Sequence, residues 1–211
     1  MNTTSHGFTS SPLPIKTFSR ITHPMFEEVI DFESLIKPET DFETMLISTP
    51  EFQDGLNWGT PRFGHPEGKV GLHVREVLDN IQHLNVDLVT YRQLRIIALA
   101  HDTFKNKEYK FGKRWRHHGL LARDFMEYHV RDAGLLDIIE LHDEAFYIWR
   151  LWTLEKQPDA AHQRLENLLD RMGGHLPLYF LFYKCDTQTG DKIQAPLHWF
   201  EQLMKELKII D

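Results

Sequence analysis

From Lys69 onward, apolar residues recur at three- and four-residue steps in one segment after another, separated by short polar breaks. That period lines them up on one face of an α-helix, and no segment shows the alternation of a half-buried strand. The chain is therefore predicted to be all-α, a single helical bundle over residues 21–211. Residues 1–20, rich in Ser, Thr and Pro without an apolar period, read as a flexible arm. A chain of 211 residues is long enough to bury one substantial core. Two short helical patterns, PMFEEVIDFESLIK and ETDFETMLIS, precede the Gly/Pro-punctuated stretch DGLNWGTPRFGHPEG, which reads as a loop.

Polar residues interrupt the apolar faces at chosen places. The helix predicted over 69–85 carries Val70, Val74, Val77, Ile81 and Leu84 on one side, and His73 lies among them. In DLVTYRQLRIIALAHD, Leu94, Ile97 and Ala98 run into His101, with Asp102 four residues beyond Ala98. WRHHGLLARDFMEYHV places Trp115, His118, Ala122 and Phe125 on one face. GLLDIIELHDEAFYIWRL, read as one helix, does the same for Leu135, Ile138, His142 and Trp149. In HLPLYFLFYKCDTQTG, Tyr179 and Phe182 share a face with Asp186, and a turn at Gly190 follows. Stretches near 158–171 and 196–208 are amphipathic packing elements.

Taken singly, each of these polar residues reads as a core histidine or a capping carboxylate. Together they would bury imidazoles and carboxylates on converging helices, at several kcal/mol per unpaired charge. A divalent metal offsets that cost, and imidazole with carboxylate suits Mn, Fe, Co, Ni or Zn, with Mg also admitted, whereas Ca prefers an all-oxygen shell. Neighbours on a helix stand about 100° apart, so His101 and Asp102 can face one ion only from a helix end. The break over Thr103–Asn106 supplies that end.

HPEGKVGLHVREVL, ALAHDTFK and FYKCDTQTG, in that order between about Arg62 and Gly190, resemble the motifs of the HD-domain superfamily of metal-dependent phosphohydrolases. The resemblance implies an HD-type helical bundle with its metal core over 62–190, in which His73, His101, Asp102 and Asp186 bind a first ion. Some members hold a second ion, bridged through the HD aspartate, with two further histidines. His118 resembles the first of these, with His117 as a register alternative, and His142 the second. Lys105, three residues after Asp102, stands where many members carry a lysine and is expected to bind phosphate as a point charge, with Asp102 and Lys105 as the catalytic pair. The expected reaction is hydrolysis of a phosphomonoester, phosphodiester or nucleotide-like small substrate by metal-activated water. A di-iron oxygenase of the same superfamily and a catalytically silent metal-binding regulatory module stay open as alternatives.

Substrate contacts are sought around that core. The loop KNKEYKFGKRWR gathers Lys105, Lys107, Lys110, Lys113, Arg114 and Arg116 against Glu108 alone, an excess that can steer an anionic, phosphorylated substrate. Arg62 and His65 lie on the loop before the first histidine, and Arg can grip phosphate with its planar fork. The net charge of −7 argues against extended nucleic-acid binding. No apolar run approaches the roughly 20 residues of a membrane-spanning helix, and the N-terminus lacks a secretory core, so a cytoplasmic address is expected. Cys185, the single cysteine, reads as a small buried hydrophobe.

Overall fold

The computed structural model describes Met1, residues 30–111 and residues 114–210. The predicted arm, Met1 apart, and the start of the helical pattern at 24–37 lie outside the described residues. The helical period is realised as α1 (Phe32–Ile36), α2 (Asp41–Ser48), α3 (Pro50–Leu56), α4 (Val70–Gln82) and α5 (Leu88–Ala100) before a short hairpin of β1 (Tyr109–Phe111) and β2 (Arg114–Arg116). It continues as α6 (His118–Met126), α7 (Ala133–Leu141), α8 (Glu144–Thr153), α9 (Pro158–Met172), α10 (Leu176–Thr187) and α11 (Ala195–Glu206). The described part is thus all-α but for one three-residue antiparallel ladder pairing Tyr109 with Arg116. Among the described residues no helix is long and apolar enough to cross a membrane.

Helix starts follow capping chemistry. The Asp87 carboxylate accepts the N–H groups of Val89 and Thr90 at the start of α5, and Asp132 does the same for Gly134 and Leu135 in α7. Prolines occupy the first turns of α9, α10 and α11, where a missing N–H costs nothing. The apolar stripes then meet in one continuous core. Within it α10 packs on both α4 and α5, and α7 bridges α5 to α6. This brings the C-terminal ends of α5, α7 and α10 to one place.

Five sequence expectations need correction. The basic loop after the HD pair contains the β1–β2 hairpin; strands of three residues are too short to display an alternating pattern. Trp115 therefore sits in β2 and is half exposed, not on the inner face of α6. The segment read as one helix over 134–151 is two, α7 and α8, parted at His142-Asp143. The region read as a loop from Asp54 begins inside α3, and α4 stops at Gln82, so that Leu84 packs from beyond its end. Gly55 in α3 allows a close approach that positions the HD turn: a Cβ there would stand 1.8 Å from the Thr103 carbonyl oxygen.

Candidate metal centre

Six of the predicted residues converge. His73 comes from the inner face of α4, while His101 and His142 cap the C-terminal ends of α5 and α7. His118 opens α6, and Asp186 lies near the end of α10. Asp102, directly after α5, stands between them, and all six are buried. Their donor atoms form two groups, His73 with His101 and Asp186, and His118 with His142 and Asp102.

In the first group His73 Nε2 is 2.9 Å from Asp186 Oδ1 and 3.3 Å from His101 Nε2. In the second, His118 Nε2 is 3.2 Å from His142 Nε2, and both stand 3.3–3.4 Å from Asp102 Oδ1. The other oxygen of Asp102, Oδ2, faces the first group, 3.6 Å from His73 Nε2 and 3.5 Å from His101 Nε2. One carboxylate thus offers an oxygen to each half.

The donor set fits a metal. Two ring nitrogens facing each other at 3.2–3.3 Å require a shared proton or a cation. Donors bonded to one ion at about 2.0–2.1 Å would stand about 2.8–3.4 Å apart, close to the spacings found. Asp102 Oδ1 is buried and has no hydrogen-bond partner, an arrangement that calls for a positive charge.

Partners behind the rings orient them. His101 Nδ1 lies 2.9 Å from the Ala98 carbonyl and His142 Nδ1 2.9 Å from the Ile139 carbonyl, so each can donate there and aim Nε2 inward. The other two rings meet side chains contributed by loops. His118 Nδ1 lies 2.7 Å from Glu108 Oε2, whose other oxygen accepts the Trp115 indole N–H at 3.1 Å. His73 Nδ1 lies 3.4 Å from the Thr189 hydroxyl, which itself sits 2.7 Å from the Asp186 carbonyl, and 3.6 Å from Glu67 Oε1. Removing such a partner weakens metal binding by about 10–100-fold. Glu108→Ala is accordingly expected to lower affinity at the His118 half by that factor and leave the His73 half unchanged. Titration of the metal-free protein with Co(II) checks this, and equal weakening of both halves would contradict it.

Electrostatics agree with the geometry. Burial and the nearby Lys192 ammonium press His73 down to about 3, keeping it neutral and able to ligate. Burial opposes charge on Asp102, yet the Lys105 ammonium and the surrounding imidazoles outweigh it and hold its carboxyl well below the usual range. The same holds for Asp186, where Lys192 and the two first-group histidines overcome burial. Burial also works against charge on His142, but Asp143 and Asp102 lift it to about 9.

A cavity of about 310 Å³ opens beside Asp102 and Asp186. Lys105 lines it with its ammonium 2.5 Å from Asp102 Oδ2, and the predicted His65 lines it too, paired with Glu67 at 3.0 Å. His117 misses the first cavity; its Nδ1 accepts the Gly119 N–H at the start of α6, and the ring lines a smaller neighbouring cavity. Arg62 is exposed, with its guanidinium 6.0 Å from the Trp58 ring centre, and does not line the cavity. Arg116 is tied to Asp124. Lys113 lies outside the described residues, as do the side chains of Lys110 and Arg114.

The structure adds residues that the sequence reading passed over. Lys192 reaches Asp186 Oδ1 at 2.9 Å from the cavity wall, and Asp143 lines both cavities. Asp143 had a readable signal, since it completes a second His-Asp pair in the chain; Lys192, beyond the closing aspartate, had none. Comparison of the chain with family models, with curated proteins and with solved structures finds no match.

Proposed function

We propose that this protein is a metal-dependent phosphohydrolase of the HD kind, hydrolysing a small phosphorylated compound in the cytoplasm with two divalent transition ions, Mn, Fe, Co, Ni or Zn. The observation that carries the reading is Asp102, whose two oxygens divide between two histidine-bearing groups. His73, His101, Asp186 and Asp102 Oδ2 would hold one ion, and His118, His142 and Asp102 Oδ1 the other. Ions bound there would lower the pKa of water towards neutrality and offset charge on phosphoryl oxygens.

The chain's own residues supply binding and orientation. Lys105 remains an ammonium, because the Asp102 and Asp143 carboxylates outweigh the burial that would discharge it. Together with Lys192 it presents two cations to the anionic end of a ligand. Phe63, Phe146 and Tyr147 on the cavity wall receive the remainder. About 310 Å³ lies at the small end of ligand pockets, which favours a compact phosphoester over an extended polynucleotide.

The test is phosphate release by the metal-loaded protein from a panel of phosphomonoesters, phosphodiesters and nucleotides. Turnover of at least one class is expected, with Lys105→Ala reducing it roughly 100-fold. A nitrogen-rich set of four imidazoles also suits iron, which keeps an oxygenase as the second reading. Oxygen uptake dependent on reduced iron, with no phosphate released from any class, would replace the first reading by the second. Full metal content with neither activity would leave a binding module.

A further inference from the structure

We propose that Asp143 is a further protein ligand of the second ion, so that each half of the centre holds two imidazoles and two carboxylates. The inference rests on the two-metal reading above and extends the ligand set beyond the six residues assigned there.

The argument begins in the chain. Residues 97–102 read Ile-Ala-Leu-Ala-His-Asp and residues 138–143 read Ile-Ile-Glu-Leu-His-Asp. Both stretches close a helix, α5 or α7, with the histidine as C-cap in right-handed helical conformation. In both, the histidine Nδ1 stands 2.9 Å from the carbonyl oxygen three residues back, Ala98 in one and Ile139 in the other. In both, the histidine Nε2 stands 3.5 Å from Oδ2 of the aspartate that follows. The two His-Asp pairs are thus local copies of one another.

The likeness extends to the neighbouring helix. Asp102 Oδ2 lies 3.5 Å and 3.6 Å from the Nε2 atoms of His101 and His73, the two imidazoles of the first half. Asp143 Oδ2 lies 3.5 Å and 3.6 Å from those of His142 and His118, the two imidazoles of the second. If the first spacing marks a ligand, the second marks one equally. No hydrogen bond to the Asp143 carboxylate is found among the described residues; its Oδ2 also stands 3.9 Å from His117 Nε2, and it lines the cavity wall next to the second half. Two divalent cations facing Asp102, Asp143 and Asp186 leave the centre one charge positive, which still attracts an anionic substrate.

Equilibrium dialysis of the full, chelator-stripped chain against Co(II), with metal analysis and visible absorption, tests the proposal. Wild type is expected to bind two ions. Asp143→Ala should bind the first as wild type does and the second at least about 100-fold more weakly, since losing a ligand should reach or exceed the loss for an orienting partner. Asp143→Glu should recover part of that loss. Asp143→Asn, close in shape and folded by circular dichroism, should change the cobalt absorption at saturation, a signature that a merely structural carboxylate would not give. Two ions at unchanged affinity in both Asp143→Ala and Asp143→Asn, with the wild-type spectrum, would overturn the role of Asp143 and leave the two-metal reading standing. Fewer than two ions in wild type would overturn the two-metal reading itself, and this proposal with it.

Discussion

Asp102→Ala is expected to empty both halves of the centre at once and to bring any turnover down to that of the metal-free protein. The reason is the division of its carboxylate, with Oδ2 at 3.5–3.6 Å from the imidazoles of the first half and Oδ1 at 3.3–3.4 Å from those of the second. Among the described residues no other candidate ligand faces both groups. His73→Ala should therefore lose one ion and keep the His118 half, and His142→Ala should lose the other and keep the His73 half. Metal analysis after dialysis separates the three variants by stoichiometry. An Asp102→Ala protein that retains two ions per chain would remove Asp102 from the centre, and with it the bridge on which the functional reading rests. Lys105 gives a second readout, because its ammonium is most closely paired with Asp102 and should bind phosphate differently once that partner is gone.

The helices were legible because a 3.6-residue period survives even where polar residues interrupt it. His73, His101 and Asp186 could be placed inward from the spacing of Val70, Ile97 and Phe182 alone, and all three are buried. The pattern could not reveal that two helices meet at His142-Asp143, since α7 and α8 both carry apolar faces and no Gly or Pro marks the junction. Partners contributed by loops were harder still. Glu108 reads from sequence as the lone acid in a basic run, yet it is the group that orients His118. Glu67 and Lys192 depend on how the chain folds back over α4 and α10, which no local period encodes. A resemblance over a few short motifs picked out the six residues that converge, while the groups that orient them emerged only with the tertiary structure.

Glu43→Ala is expected to destabilise the fold by about 3–5 kcal/mol, the largest loss foreseen away from the candidate metal centre. Glu43 in α2 holds Arg95 of α5 through two bonds, Nε to Oε1 at 2.9 Å and Nη2 to Oε2 at 2.6 Å, and both side chains are almost fully buried. Removing the carboxylate leaves the guanidinium with Glu39, whose side chain is 49 % exposed, and the Lys37 carbonyl. These partners neutralise a buried charge less completely. The double variant Glu43→Leu with Arg95→Met, which removes both charges, should recover most of the loss, because buried ion pairs gain little over well-packed apolar replacements. Arg95 sits on the helix that ends in the HD pair, so chemical denaturation should be run with and without metal. Ions that bind only the folded state at 100-fold their Kd add about 2.7 kcal/mol per site, and they should do so equally in wild type and variant if α5 keeps its geometry. A Glu43→Ala loss below about 1 kcal/mol would show that Glu39 suffices for Arg95. A normal loss combined with weakened metal affinity would show instead that the ion pair holds the HD turn in place.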